Sequence, residues 1–387
     1  MSFQKIAINP RATRIHDEVE RRANSLVRGF DRAMAFLHLG GRKGDYDDLR
    51  YEFVGGAKDD LRKQHYDKSL RFLWKAERHA PWSSFKDCTQ EELALLQMAD
   101  RSLAPEERVE LQRIGSAEFR AMLDATYTPR EKQALVNILS LIGHGEAYAW
   151  LVSTEVLNEV KSTGGRAALT MQVFEEAKHF VVLRELIQTF GCPIPRLSAW
   201  EYLLLERGFK SKGLEKFFAM NIVVEGFALS LFGMLSSLPG LEILRLFHLD
   251  ESRHAALPSN YFREFPMSRW ERHSPLRKIR RLSLILPALP VMMQLEADFA
   301  ELGIDAFDFG GSMTRKLIHL AERVGFHLPF STPVLHGLVN RIFNTYCKYS
   351  RDGHRLRDFV QQETTRGRRE LEVERKVFEM DHGAERN

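Results

Sequence analysis

The chain has 387 residues, 44% hydrophobic and 28% charged with both signs interspersed, which supports a sizeable core and excludes a disordered chain. A formal net charge of +4 is compatible with an acidic partner but does not demand one, and no nucleic acid is expected. The three cysteines, Cys88, Cys192 and Cys347, are odd in number and far apart, so no disulfide framework is expected and a reducing cytoplasm fits.

The N-terminal stretch lacks the apolar core of a signal peptide. Leu282–Met293, the longest apolar run beside a basic cluster, is broken by Pro287 and Pro290. It falls short of the roughly 20 residues of a membrane span, so no transmembrane segment is expected. Strand signals are scarce, and the fold class is all-α. Residues 1–127 read as a helical accessory region, interrupted at Gly40-Gly41, Gly55-Gly56 and Pro81. Thr128-Pro129-Arg130-Glu131 is a helix start: a capping threonine, proline at the first helical position, and a glutamate that closes the capping box. This helix is expected to reach about Lys161 and stop at Gly164-Gly165. A second runs from about Arg166 to Phe190, before Gly191 and Pro193. A short polar helix starts near Ser198. A third long helix spans about Ser211 to Pro239-Gly240, and a fourth Leu241–Leu257, ended by Pro258. Pro275–Phe309 and Thr314–Tyr349 suggest further helices that complete a body over 128–355. Residues 356–387 form a charged C-terminal tail.

One internal echo carries the chemistry. The second long helix contains Glu175-Glu176-Ala177-Lys178-His179, and the fourth contains Asp250-Glu251-Ser252-Arg253-His254. Both read acid, glutamate, small residue, base, histidine. Each follows a helix with a glutamate in apolar surroundings: Glu146 in LIGHGEAYAWLV and Glu225 in NIVVEGFALSLF. Residues three apart share a helix face, so each Glu-x-x-His pair points inward together. Four carboxylates and two imidazoles around a bundle axis make a dinuclear metal cage, suited to hard iron or manganese ions.

Chance must be weighed against this. With 14 histidines, an accidental Glu-x-x-His is expected about once in such a chain, and Glu379-Met380-Asp381-His382 in the tail is such a case. Repetition with matching flanks, plus a buried upstream glutamate for each copy, is the stronger signal. Glu225 lies among Ile222, Val223, Val224, Phe227, Leu229 and Leu231, where an uncompensated carboxylate costs several kcal/mol. A metal explains it, and an ion pair with an arginine is the alternative. Metal-bound histidines donate their other N–H to a carboxylate, so Asp250 is expected to support His179 and Glu175 to support His254, with Lys178 and Arg253 neutralising those acids. His248, near Glu251, is a candidate extra ligand. His144 is a weaker one, and Tyr148 and Trp150 read as aromatic packing.

Residues 128–258 resemble the ferritin-like di-iron oxidase and oxygenase superfamily. EEAKH and DESRH are similar to the paired motifs of acyl-carrier-protein desaturases, bacterial multicomponent monooxygenases, the ribonucleotide reductase small subunit and the arylamine N-oxygenases. The resemblance implies a ferritin-like helical bundle with four ligand-bearing helices plus flanking helices. It also implies that Glu146, Glu176, His179, Glu225, Glu251 and His254 hold two iron ions, with manganese–iron the alternative pair, and that O2 is co-substrate. The implied activity is hydroxylation, N-oxygenation or desaturation of a small or lipid-like organic molecule in an apolar channel lined by Phe174, Phe180, Phe227 and Leu231. With no nucleotide or flavin motif, electrons would come from a separate reductase or ferredoxin. Leu183 stands where the ribonucleotide reductase subunit carries its radical tyrosine, and Phe247 where the arylamine N-oxygenases carry an added histidine. Two alternatives stay open. One is acyl-carrier-linked desaturation, with Arg277-Lys278-Ile279-Arg280-Arg281 docking an acidic carrier. The other, of a different class, is a metal-binding or oxygen-scavenging protein without organic substrate. A homodimer is among the assemblies considered.

Overall fold

The computed structural model describes residues 5–37, 114–160, 163–261 and 273–351, and among these there are helices and no strands. Helix α1 spans Pro10–Phe36 and α2 Ala117–Thr126. Next come α3 (Pro129–Glu159), α4 (Thr163–Thr189), the short α5 (Ala199–Phe209), α6 (Leu214–Leu235) and α7 (Leu244–Tyr261). Then come α8 (Pro275–Ile285), α9 (Ala288–Gln294), α10 (Glu296–Glu301), α11 (Ala306–Val324) and α12 (Thr332–Ser350). Gly40-Gly41, Gly55-Gly56, Pro81, Cys88, the tail after 355 and Glu379–His382 lie outside the described residues.

Local sequence explains the starts. Thr128 caps α3 through a reciprocal capping box with Glu131, and Pro129 opens the first turn; Ser198 and Glu201 repeat the device at α5. Each box satisfies two of the N–H groups that a helix start leaves without an internal partner. Gly191 (φ 66°) turns the chain after α4, a conformation that glycine adopts without steric cost.

Two stop signals act differently from expectation. Helix α3 ends at Val160, whose extended backbone forms the cap. Gly164 and Gly165 therefore occupy the first turn of α4 rather than a break. Pro258 lies inside α7, which continues to Tyr261. The helices expected over Pro275–Phe309 are separated at Leu286-Pro287, Leu295 and Leu302.

Helix α3 packs along α4 and α6 along α7, while α4 meets α7 and α3 meets α6. Helices α5, α10 and α11 cover this group, and α12 and α1 lie outside them. The apolar residues form two main clusters. One holds Ile138, Leu139, Leu183, Leu231 and Phe247, and the other Val152, Val156, Leu169, Phe218 and Ala255. The glutamate and histidine layer lies between these clusters along each of the four helices. Each fully buried large apolar side chain contributes about 1.5–3 kcal/mol, and this offsets the cost of a charged layer at mid-height. Gly226, next to Glu225, allows α11 to approach: a Cβ there would collide with Leu317.

Helices α3 and α6 are also long and apolar enough to cross a membrane by length and composition. Neither coincides with the Leu282–Met293 run. In the fold, 78% of the apolar window of each of these two helices is buried, and they carry Glu146 and Glu225.

Candidate metal centre

Six side chains from four helices converge. Glu146, Glu176, His179 and Glu251 place one donor atom each within 4.8 Å of one another, as do Glu176, Glu225, Glu251 and His254. None of the six is more than 2% exposed. Glu176 and Glu251 belong to both groups, and each divides its oxygens between them. His179 Nδ1 faces Glu176 Oε2 at 4.0 Å, Glu251 Oε1 at 3.0 Å and Glu146 Oε2 at 3.3 Å. His254 Nδ1 faces Glu176 Oε1 at 3.1 Å, Glu251 Oε2 at 2.9 Å and Glu225 Oε1 at 3.7 Å. The arrangement is two four-donor groups that share Glu176 and Glu251, with one further glutamate and one histidine closing each end.

The donor atoms themselves test the fit to a metal. Glu146 Oε2, Glu176 Oε2, Glu251 Oε1 and His179 Nδ1 are buried without a hydrogen-bond partner, although they lie close together. Buried polar atoms in native proteins are normally satisfied, and a cation at their meeting point would satisfy all four. Charge agrees. Four carboxylates balance two divalent ions when the imidazoles are neutral, as metal ligation requires.

The outer nitrogens are fixed from across the bundle. His179 Nε2 lies 3.0 Å from Asp250 Oδ2, and His254 Nε2 lies 2.9 Å from Glu175 Oε2. A proton on Nε2 leaves Nδ1 of each ring free to bind. Lys178 donates to Asp250 at 2.6 Å, and Arg253 donates to both Glu175 (2.6 Å) and Asp250 (2.5 Å). Two outer acids thus meet two cations, leaving the inner carboxylates for a metal. Phe247 stacks on the His179 ring, with centroids 4.2 Å apart, so the position of the added histidine in the N-oxygenases seals the imidazole here. Leu183 is fully buried in the core.

Protons respond to this crowding. Burial raises Glu146, Glu176 and Glu225 above the usual carboxylate range; Glu251 adds to the effect on Glu146 and Glu225, and Glu225 pushes Glu176 up. Glu225 is pushed up to about 8. Burial opposes charge on His179 and His254, but the surrounding carboxylates raise both well above the usual histidine value. Burial also works against ionisation of Asp250, but the His179 bond, Lys178 and Arg253 hold its carboxyl well below the ordinary range.

Two residues that sequence reasoning passed over complete the centre. Gln172 is 1% exposed, and its Nε2 donates to Glu225 Oε1 at 2.6 Å and Glu176 Oε1 at 3.2 Å. Asn221 is fully buried and donates to Gln172 Oε1 at 3.1 Å and to the His254 carbonyl at 3.0 Å. That carbonyl needs a donor, because Pro258, four residues on, has no N–H to offer it. Asn221 lies in a π-helical stretch, Phe218–Val224, that immediately precedes Glu225; such widened turns recur at functional sites. The signal was available: the amides stand four residues before Glu176 and Glu225, each in an apolar run.

Other expectations change. His248 Nδ1 lies 2.9 Å from the Leu229 carbonyl, tying α7 to α6, and His248 belongs to neither donor group. His144 lies 3.5 Å from Glu201 and is likewise outside both groups. Trp150 packs against Phe180, and Tyr148 is buried beside Leu205. Of the four residues expected to line a channel, only Phe227 lines the cavity that touches the cage. That cavity, of about 40 Å³, has Glu146 and Glu225 in its wall. Arg281 is fully buried and bonded to Glu215 at 3.0 and 3.2 Å, so it is not part of a basic docking surface. The chain matches no protein-family model, no curated protein and no solved structure.

Proposed function

We propose that the chain is a non-haem di-iron oxidoreductase of the ferritin-like type, in which Glu146 and His179 at one end, Glu225 and His254 at the other, and Glu176 and Glu251 common to both would hold the metals. The observation that carries this reading is the pair of four-donor sites sharing two glutamates, each of which gives one oxygen to either side. Two bound iron ions, or a manganese–iron pair, would supply O2 activation for oxidation of an organic substrate. The chain's own part is to hold donor geometry. Asp250 and Glu175 orient the imidazoles, Gln172 fixes Glu176 and Glu225, and the two apolar clusters keep water from the layer. Electrons would come from a separate reductase or ferredoxin, and a cytoplasmic setting goes with this reading.

A second reading, a metal-binding or oxygen-scavenging protein without organic substrate, is favoured by the small volume of the cavity beside Glu146 and Glu225. Carrier-linked desaturation is weakened, because the basic run proposed for docking spends Arg281 inside the fold.

Metal analysis after anaerobic ferrous loading tests the proposal. Two equivalents are expected for the wild type and loss of at least one for Glu225→Ala, with an oxygen-dependent near-ultraviolet or visible band in the wild type alone. Equal iron in both proteins, or no band on admitting air, overturns it. Accumulation of a ferric mineral far beyond two equivalents selects the second reading.

A further inference from the structure

The 40 Å³ cavity at the cage does not stand alone. Apart from Glu146, Glu201 and Glu225, the described residues in its wall are apolar. A second cavity, of about 370 Å³, backs on to it, and the two share Leu141, Glu201 and Val291. The outer volume falls in the range of small-molecule sites, whereas the inner one takes only O2 or the end of an alkyl group.

The outer wall is polar and unevenly charged. Among the described residues of its wall, Arg196 and His16 are the basic ones, against five acids. Two of those acids are already engaged: Glu296 accepts from Arg351, and Glu201 caps α5. The other three are Asp17 at the exposed rim, Glu20 and Asp298. Glu20 accepts from Asn24 and Gln294, and Asp298 from Asn137 at 2.9 Å. Among the described residues, none of these three acids forms an ion pair with a basic side chain. Burial accordingly raises both Glu20 and Asp298, the latter to about 7. A bound cation would supply these three acids with a countercharge.

We infer that the two cavities form one substrate site for a small amphiphilic organic cation, such as an alkylamine. Its ammonium head sits among Asp17, Glu20 and Asp298, and its apolar end passes the Leu141–Val291 wall towards Glu146 and Glu225. Leu141 and Val291 are then specificity-determining residues, and Gly145 sets the depth of the inner end. A Cβ on Gly145 meets nothing within 4 Å, so an added side chain starts in open space at the inner end. That the inner end is the reacting end rests on the metal-centre reading; the binding itself does not.

Calorimetric titration of the full-length, metal-free protein with butylammonium, hexylammonium, hexanoate and hexanol tests the inference. Hexylammonium is expected to bind at least tenfold more tightly than hexanoate or hexanol, and more tightly than butylammonium. The double variant Glu20→Gln/Asp298→Asn is expected to lose about tenfold for both ammonium ions. Gly145→Val is expected to remove the preference for the longer chain, with its folding checked by an unchanged far-ultraviolet spectrum. Equal binding of hexanoate, an unaffected double variant, or an unchanged chain-length preference in Gly145→Val overturns it. Parallel titration with Co(II) separates the two proposals. Two cobalt sites without ammonium binding refute the cation site and retain the metal centre; ammonium binding without cobalt sites does the reverse.

Discussion

Replacing Asn221 by leucine conserves volume and removes a single amide. In the structure that amide donates to the His254 carbonyl and to Gln172. Because Pro258 cannot supply the helical N–H, the carbonyl would be left buried without a donor, at a cost of about 1–3 kcal/mol, and the lost Gln172 bond adds about 1 kcal/mol. Asn221→Leu is therefore expected to destabilise the metal-free protein by about 2–4 kcal/mol. The companion change Pro258→Ala restores an N–H at the position that helix geometry requires. With Asn221 present, that N–H competes for a carbonyl already served; in the Asn221→Leu variant, it rescues one that is bare. Pro258→Ala should thus stabilise the Asn221→Leu background by about 1–3 kcal/mol more than it stabilises the wild type. Urea unfolding of the four proteins, with slopes compared to exclude a change in the unfolded state, measures the cycle. Additivity within about 0.5 kcal/mol, the behaviour of independent sites, would refute the assignment of Asn221 as the substitute donor.

Asp250→Asn keeps an oxygen near His179 but removes the charge that balances Lys178 and Arg253, and metal affinity should fall about 10–100-fold, as read by competition with a chromophoric chelator. Arg281→Met leaves buried Glu215 with only the more distant Arg277 (3.9 Å) as a cationic partner and should cost about 3 kcal/mol, while exposed Arg280→Glu should stay within about 0.5 kcal/mol; thermal unfolding compares them. Asp298 gives a pH signature of defined sign. Its folded-state pKa, about 7, lies above the unfolded value of about 3.9, so the folded protein holds the extra proton and stability is lost as pH rises between them. Three pH units set a ceiling of about 4 kcal/mol, and partial exposure lowers this to about 2 kcal/mol. Asp298→Asn should leave stability at pH 4 unchanged and raise it at pH 8; a gain of the same size at both pH values would count against the raised pKa.

Much of the site was legible because helix geometry is local. A three-residue spacing places Glu176 with His179, and Glu251 with His254, on one face whatever surrounds them. The paired flanks Glu175 and Asp250 point across the bundle for the same reason, and both bonds to the opposite histidines are present. Stop signals were less legible. Pro258 reads as a terminator because it removes an N–H, but the side chain that compensates, Asn221, comes from another helix. Arg281 sits in a run of basic residues that looks solvated, and only the approach of Glu215 makes it interior.

Sequence by itself determined the helical class, the capped starts at Thr128 and Ser198, and the six residues that gather into one layer, because periodicity and capping act within a few residues along the chain. Tertiary structure decided the rest: which oxygens of Glu176 and Glu251 face which histidine, the amide relay from Asn221 through Gln172, the removal of His248 from the donor set, and the outer cavity backed against the cage. These depend on contacts between residues tens of positions apart, and no local rule encodes the distances at which separate helices come to rest.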